Sequence, residues 1–313
     1  RRVLFRSAAS KIDFRLYAKY RHTILLAAIA LLAVVLIPGI GTKVNGARRW
    51  IRFAGFQFQP SELVKICMVL YMADLLARRQ DAIRSFWRGF VPPVTVMSVV
   101  LLELAMEPDF GTALLITAGL FTMLFIAGIR WRHLLTVGSA MVPAVVYLIA
   151  FKGRYIHDRL DSFLSWDLND TGLGYQQNAA LMAMGRGGPF GAGLGNGLFR
   201  HRFIPEAHND FILAVLGEEF GLVGTLAIAA LFALFLISAI RVFRRSRSLK
   251  AALIAWGLAF MVVAQAIINF AVVTRSMPNK GIALPFVSYG GSSLLFSLIA
   301  VGILVNIARR VEE

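Results

Sequence analysis

The sequence predicts an all-α polytopic membrane protein, and three observations support this prediction. Hydrophobic residues make up 58% of the 313-residue chain. Apolar stretches close to the ~20 residues that a helix needs to cross the hydrocarbon core recur along it. Charged residues gather mainly in the connections between these stretches. Because lipid offers the backbone no hydrogen-bond partner, each stretch is expected to be a helix.

We predict eight membrane-spanning helices, at residues 24–41, 61–77, 90–106, 110–129, 134–151, 221–243, 251–273 and 288–308. The connection at 152–210 is the longest, and its length exceeds that of a passive loop. Within it, residues Tyr175 to Met184 are expected to form a short amphipathic helix lying on the membrane.

The basic residues predict the orientation of the helices, because they lie in alternate connections. By the positive-inside rule these connections and both chain ends are cytoplasmic, and the loops at 38–60, 106–109, 152–210 and 274–287 are outside. The net charge of +16 therefore reflects membrane topology, and a nucleic-acid partner is not supported. The basic connections contain Arg78, Arg79, Arg84 and Arg88, then Arg130, Arg132 and His133, then Arg241, Arg244, Arg245, Arg247 and Lys250, and finally Arg309 and Arg310.

The outer loop at 38–60 departs from this rule because it is also basic. It contains Lys43, Arg48, Arg49 and Arg52. These cations either meet an anionic head group or are solvated, and the sequence favours neither reading.

Several chemistries are excluded by missing motifs. The single cysteine, Cys67, lies in an apolar stretch, so no internal disulfide is possible and a packing role is expected. The sequence has no phosphate-binding loop, no dinucleotide fingerprint and no His/Cys cluster for zinc. A nucleotide cofactor is therefore not expected.

The N-terminus has an unusual composition for a native start. Residues 1–7, from Arg1 to Ser7, lack an initiator methionine and resemble the translation of a sequencing-library adapter. We exclude them from the fold prediction. Residues 8–313 are predicted to form a single transmembrane domain with the outer loop 152–210.

The end of the long outer loop carries the most informative motif, Pro205 to Phe211, which places Asp210 at the start of an apolar stretch. An ionisable group at the membrane edge is a candidate functional residue, because desolvating it costs free energy. Asp is also favoured as a helix N-cap. The two roles are compatible with each other.

Other polar residues allow both structural and functional roles. Glu62 and Lys65 share one helix face and are expected to pair, either as a structural ion pair or as cavity lining. Glu107 and Asp109 lie in a tight outer turn, either as caps or as ligands of a metal or diphosphate. The glycine-rich segment 185–197 is expected to be an anion-binding loop, a re-entrant turn or a hinge. For Glu218 and Glu219 we expect a structural ion pair.

Four motifs occurring in order resemble the FtsW/RodA/SpoVE, or SEDS, family of shape, elongation, division and sporulation proteins. They are Phe58 to Lys65, Glu107 to Thr112, Pro205 to Phe211 and Gly281 to Ser293. The resemblance covers about residues 11 to 310. Family members have ten membrane helices, so the resemblance implies that two helices precede the eight predicted here. The run from Gly174 to Gln176 favours the division (FtsW) branch over the elongation (RodA) branch.

The resemblance implies a peptidoglycan glycosyltransferase that polymerises lipid II during cell division, in the bacterial cytoplasmic membrane. It also implies a class B penicillin-binding protein as partner, together with other division proteins. Asp210 matches the catalytic carboxylate of the family and is the candidate general base for the sugar 4-hydroxyl. Asn209 stands where relatives often have Thr, which is expected to change the hydrogen bonding of the acid.

Stabilising the leaving diphosphate would require cations, and the resemblance is consistent with a divalent ion, Mg²⁺ or Mn²⁺, at Glu107 and Asp109. Arg275 and Lys280 are either diphosphate contacts or interfacial residues. The Ser288 to Ser293 run lacks an Asp or His partner, so close backbone packing is expected there. The candidate substrate contacts are Glu62, Lys65, Arg48, Arg154, His208, Arg275, Lys280 and Ser288.

Two other classes of function stay open at this point. A lipid II flippase or transporter would also use charges and broken helices within the membrane. A non-catalytic division scaffold would need none of the polar residues. Only the polymerase requires Asp210 as a base, so that residue discriminates among the three.

Overall fold

A computed structural model describes residues 20–44, 47–53, 56–136, 138–139, 161–164, 173–199 and 209–312. Within these residues most of the chain is helical. The longer helices are α1 (Arg21–Leu36), α2 (Pro60–Arg78), α3 (Val91–Met106), α4 (Phe110–Ile126), α5 (Leu173–Gly187), α6 (Ile212–Arg245), α7 (Leu249–Val273) and α8 (Gly291–Glu312). A 3₁₀ turn at Gln80–Ala82 and a π-helical turn at Phe86–Phe90 precede α3.

The predicted outer loop at 38–60 contains a small antiparallel sheet. Its strands are β1 (Gly41–Val44), β2 (Ala47–Phe53) and β3 (Phe56–Phe58), in that order across the sheet. The sequence predicts only a loop here, because its alternation of apolar and polar residues is short and interrupted by glycines. Strand β2 carries three of the four basic residues of this segment, Arg48, Arg49 and Arg52.

Among the described residues, four helical segments are long and apolar enough to cross a membrane: Phe86–Met106, Ile212–Arg245, Leu249–Val273 and Gly291–Arg310. Helices α1 and α4 are apolar but shorter, at 16 and 17 residues. These helices fit a multi-pass membrane protein. The count of eight spans stays a prediction, since most of the span expected at 134–151 lies outside the described residues.

The chain divides into two compact units. The first comprises the described parts of 20–135, 235–262 and 291–312, and the second comprises those of 136–234 and 263–290. Helices α6 and α7 contribute residues to both units.

In the first unit, two glycines allow helices to approach closely. A Cβ on Gly257 of α7 would lie 2.6 Å from Cγ1 of Val69 in α2. A Cβ on Gly119 of α4 would lie 2.6 Å from Cε of Met261 in α7. In lipid the hydrophobic effect does not drive helices together, so their association depends on close packing, which small residues allow. Glycine is therefore favoured by packing at position 257, whereas at position 119 the flexible end of the Met261 side chain can move aside.

A buried carboxylate links three helices of the first unit. Asp74 of α2 is only 2% exposed and pairs with Arg21 of α1 at 2.7 Å, and with Arg78 and Lys250 at 2.8 Å. A buried charge requires such partners, because its desolvation is otherwise uncompensated. This network fixes the adjacent ends of α1, α2 and α7.

The second unit has its own apolar core. Ala180 and Ala183 of α5 pack with Phe211 and Leu213 at the start of α6 and with Val273 at the end of α7. The helix expected at 175–184 is present and longer than predicted, spanning 173–187. Its alanine face is buried in this core, so that face packs against protein and not against the membrane surface.

Helix α6 is broken at Gly221, and the glycine-rich segment fills the break. Gly221 has φ of 66°, so the hydrogen-bond ladder of the helix is interrupted there. The amides of Ala192 and Gly193 donate to the carbonyls of Glu218 and Glu219, at 2.9 and 3.1 Å. In the opposite direction, the amides of Leu222 and Val223 donate to the carbonyls of Gly188 and Pro189, at 2.9 and 3.1 Å.

These four hydrogen bonds to the loop take the place of the interrupted helical ladder. An unpaired backbone group is costly in an apolar setting, so the loop and the break stabilise each other. The sequence left three interpretations open for the glycine-rich segment 185–197. The structure shows a close-packed turn, in which the amides of residues 192 and 193 donate to helix carbonyls.

The side chain of Glu218 completes the same junction. Its buried carboxylate pairs with Arg186 at 2.8 Å and accepts hydrogen bonds from the amides of Leu198 and Phe199. The structural ion pair expected for Glu218 is confirmed. Glu219 is also buried, and no ion pair of it is seen among the described residues.

We predict that Gly191→Ala lowers the melting temperature of the purified protein markedly. Gly191 has φ of 87°, and a Cβ there would collide with the carbonyl of Glu219. The left-handed conformation alone costs a non-glycine residue about 1–2 kcal/mol. Gly185→Ala is the matched control, because it lies in α5 and an added methyl group would meet nothing within 4 Å. Equal melting temperatures for both variants would contradict the inserted loop.

Candidate functional site

Asp210 lies two residues before the first residue of α6, and Phe211 separates it from the helix. Its side chain is half-buried and lies against the backbone of Gly281, where a Cβ would be 2.7 Å from Oδ2 of Asp210. The carboxylate therefore occupies space that exists only because residue 281 has no side chain. Of the four motifs in the sequence, two meet at this point.

One side-chain amide and one hydroxyl hold the backbone around Asp210. Asn269 donates from Nδ2 to the carbonyls of Asp210 and Ile282, at 2.8 and 2.7 Å. Ser288 donates from Oγ to the carbonyl of Asn209 at 2.6 Å and accepts from the amide of Leu284 at 2.7 Å. The start of α6 is thereby fastened to the segment 281–288.

The other end of this segment is anchored to α5. Gln177 donates from Nε2 to the carbonyls of Val272 and Met277, at 2.9 and 2.8 Å. Asn279 donates from Nδ2 to Oε1 of Gln176 at 3.0 Å. These bonds fix the chain on the N-terminal side of Lys280 and Gly281.

The predicted substrate contacts of the second unit differ in accessibility. Arg275 is 5% exposed, and it donates to Oδ1 of Asn178 and to the carbonyls of Ser162 and Phe163. Ser288 is buried, with its hydroxyl used within the fold. Both residues have structural roles, and their binding roles stay predictions. Lys280 is half-buried beside Gly281.

A second polar group of residues lies in the first unit. Lys65 pairs with Glu62 at 2.8 Å, and both are buried, so the expected ion pair is present. Ser61 donates to Oδ2 of Asp109 at 3.3 Å, and Oδ1 of Asp109 accepts from the amide of Thr112 at 3.3 Å. The expected capping role of Asp109 is therefore seen at the start of α4.

Glu107 is the unusual member of this group. It is 1% exposed, and neither carboxylate oxygen has a hydrogen-bond partner among the described residues. Arg49 of β2 donates to the backbone carbonyls of Glu107 and Pro108, not to the carboxylate. Burial raises the pKa of Glu107 to about 8, and the charge of Asp109 adds to this while Arg49 opposes it.

The remaining predicted site residues have the following places. Arg48 lies in β2 opposite Lys43 of β1. Arg154 and His208 lie outside the described residues. In the part of the chain that the structure describes, no three His, Cys, Asp or Glu side chains are placed to hold a metal ion. Glu107 and Asp109 as metal ligands therefore stay a prediction.

No site role is predicted from the sequence for Asn269, Gly281, Gln176 or Gln177, although Gly281 and Gln176 lie within the runs that carry the family resemblance. A signal existed for Asn269, since a polar amide inside an apolar helix is costly unless it has a partner. The proximity of Gly281 to Asp210 left no local signal, because the two residues are 71 positions apart in the sequence.

The fold and site define a multi-pass membrane protein with a carboxylate at the end of a long apolar helix. The chain belongs to the FtsW/RodA/SpoVE family of cell cycle proteins, whose family model matches residues 3–313. It is 44% identical over 298 residues to a probable peptidoglycan glycosyltransferase FtsW of Trichlorobacter lovleyi, covering 95% of this chain and 78% of the relative. It is 43% identical to the protein of that name from Geobacter sulfurreducens, covering 98% and 82%.

Solved structures agree with this membership. One chain of a peptidoglycan synthase complex that coordinates polymerization and crosslinking is similar with a TM-score of 0.83 and 28% identity, covering 100% of this chain and 87% of that chain. The Thermus thermophilus rod shape determining protein RodA is similar with a TM-score of 0.71 and 27% identity, covering 99% and 85%.

We predict that Glu107 makes stability depend on pH. Because the folded state raises its pKa from 4.5 to about 8, the folded state binds this proton more tightly than the unfolded state. Its contribution to stability is therefore present below pH 4.5 and is lost as the pH rises towards 8. Melting temperatures of the wild type should fall over this range relative to those of Glu107→Gln. Parallel pH curves for the two proteins would show that Glu107 ionises normally.

Proposed function

We propose that this protein is a peptidoglycan glycosyltransferase that polymerises lipid II into glycan strands during cell division, with Asp210 as the general base. Its relatives in Trichlorobacter lovleyi and Geobacter sulfurreducens carry the name of this activity. The observation that supports the role of Asp210 is its carboxylate, which lies half-buried against Gly281 just before α6. An enzyme that acts on a lipid-linked donor needs its catalytic group at the membrane surface, where this helix end is expected to lie.

In the proposed reaction, Asp210 takes the proton from the sugar 4-hydroxyl as that oxygen attacks the anomeric carbon of the donor. The bond between this carbon and the diphosphate oxygen breaks, and the diphosphate leaves with the electron pair. General bases contribute ~10² to 10⁴-fold to such transfers. The anchored backbone on both sides of Asp210 supports this role, since a base is effective only when it is held in place.

The leaving diphosphate is expected to be met by cations. Lys280 is one candidate, because it directly precedes Gly281, against which the carboxylate of Asp210 lies. Arg154 and His208 belong to the same hypothesis. In the first unit, the buried pair of Glu62 and Lys65 is proposed to line the substrate cavity.

The proposed setting is the bacterial cytoplasmic membrane, with both chain ends in the cytoplasm. The proposed partner is a class B penicillin-binding protein transpeptidase, alongside other division proteins. The similarity to a chain of a peptidoglycan synthase complex supports such a partner. The division branch is supported by the FtsW names of the curated relatives.

We predict that Asp210→Asn lowers the rate of glycan strand formation from lipid II by at least ~10²-fold. The assay uses the full-length protein reconstituted in liposomes with its cognate transpeptidase. Asp161→Asn is the matched control, since it removes another carboxylate from the same predicted outer loop and should leave polymerisation intact.

Three outcomes of this assay separate the candidate functions. Strands from the wild type and the control but not from Asp210→Asn support the polymerase. Equal strand formation by Asp210→Asn removes that residue from catalysis. Absence of strands from every protein, together with lipid II translocation across the vesicles, would favour the flippase.

A divalent cation at Glu107 and Asp109 is part of the proposal, and no step above depends on it. Chelation by EDTA is expected to lower strand formation, and Mg²⁺ or Mn²⁺ to restore it. If Glu107 is a ligand, Glu107→Gln should require a higher cation concentration for half-maximal rate. An unchanged requirement would remove Glu107 from the metal hypothesis.

A further inference from the structure

Asn269 is a buried amide in a largely apolar helix, which also carries the buried amide of Gln265. It is 1% exposed, and it lies in α7, which contains no charged residue between Ala251 and Val273. Burying an amide without partners costs roughly 2–7 kcal/mol, so the bonds of Asn269 are a requirement for folding here. Its Nδ2 is used twice, on the carbonyls of Asp210 and Ile282.

These bonds constrain the conformation of Asp210 itself. Ser288 holds the carbonyl of Asn209, and Asn269 holds the carbonyl of Asp210. The two carbonyls belong to the peptide planes on either side of the Asp210 α-carbon. Because a peptide plane is rigid, a hydrogen bond to each of these carbonyls restrains φ and ψ of Asp210, and so the direction of its Cα–Cβ bond.

The same amide also fixes the surface that the carboxylate lies against. Ile282, whose carbonyl accepts the second bond from Asn269, directly follows Gly281. The missing Cβ of Gly281 provides the space for Oδ2 of Asp210. Asn269 therefore restrains both the backbone that carries the Asp210 side chain and the backbone that its carboxylate lies against.

We propose that Asn269 is a positioning residue that orients the Asp210 carboxylate for proton transfer, with Gly281 providing the space into which that carboxylate points. This inference rests on the proposed function of Asp210. Asn269 is buried and its amide is bound to backbone carbonyls, so it acts through Asp210 and not on the substrate.

A positioning role has a kinetic signature that a purely structural role lacks. Misplacing a catalytic group by about 1 Å lowers turnover by ~10²-fold. Substrate affinity is unaffected when the displaced group acts only in the transition state. Loss of Asn269 should thus lower kcat while KM for lipid II stays nearly constant.

The experiment measures kcat, KM and melting temperature for Asn269→Leu, which removes the amide at similar volume. The matched control is Gln80→Met. Gln80 likewise donates from Nε2 to two backbone carbonyls, those of Leu76 and Ala127. It belongs to the first unit, whereas Asp210 belongs to the second. Asn269→Leu should lose ~10²-fold in kcat, whereas Gln80→Met, at an exposed position, should keep the turnover of the wild type.

A second variant keeps the test decisive if Asn269→Leu does not fold. Gly281→Ala displaces the carboxylate from the opposite side and leaves Asn269 intact. Gly281 is exposed and has no positive φ, so the added methyl group should not disturb folding. It should also lower kcat with little change in KM or melting temperature.

Asp210→Asn in the same assay distinguishes failure of the positioning role from failure of the proposed function. Suppose that Asp210→Asn is inactive and Asn269→Leu has the turnover of the wild type. The positioning role is then overturned, and the role of Asp210 as general base survives. Gly281→Ala takes the place of Asn269→Leu in this comparison if the latter does not fold. If Asp210→Asn is itself active, the proposed function fails, and the positioning role fails with it.

Discussion

Satisfying backbone hydrogen bonds where the helices are irregular is the constraint on which this structure depends. An apolar surrounding offers no water to a freed amide or carbonyl, so every break in a helix needs a partner from elsewhere in the chain. At the break at Gly221, the loop 188–193 both donates hydrogen bonds to the helix carbonyls and accepts them from the helix amides. The glycines of that loop are explained by this close backbone contact, without any ligand.

The same constraint shapes the surroundings of Asp210. The chain is irregular between the end of α7 and the start of α8, so its carbonyls need donors. Asn269, Gln265 and Gln177 supply them from helices, at 2.7 to 2.9 Å. A structural requirement of the membrane setting thereby produces a rigid frame around a carboxylate. Rigidity of this kind is what a catalytic base requires.

Much of the helical framework was predictable from composition and periodicity alone. Helices α2, α3 and α7 begin and end within two residues of their predicted limits, because proline and charged residues mark their ends. The start of α6 was predicted nine residues too late. Glu218 and Glu219 interrupt the apolar run, and the sequence does not show which partners allow these charges to be buried. The partners of Glu218, which are Arg186 and the amides near residue 198, come from a distant segment.

The candidate site was predictable in part for the same reason. Asp210 and the pair of Glu62 and Lys65 are recognisable from local patterns, whereas Gly281 and Asn269 become visible only through contacts between distant segments. Conversely, the charge of Arg275 suggests a ligand contact, and the structure gives it protein partners.

The most direct test of this account is a double-mutant cycle on the turnover of lipid II, combining Asp210→Asn with Asn269→Leu. If Asn269 acts by orienting the carboxylate, its loss should cost nothing further once the carboxylate is gone, so the double variant should match Asp210→Asn. Losses that multiply in the double variant would mean that the two residues act independently, and would contradict the account.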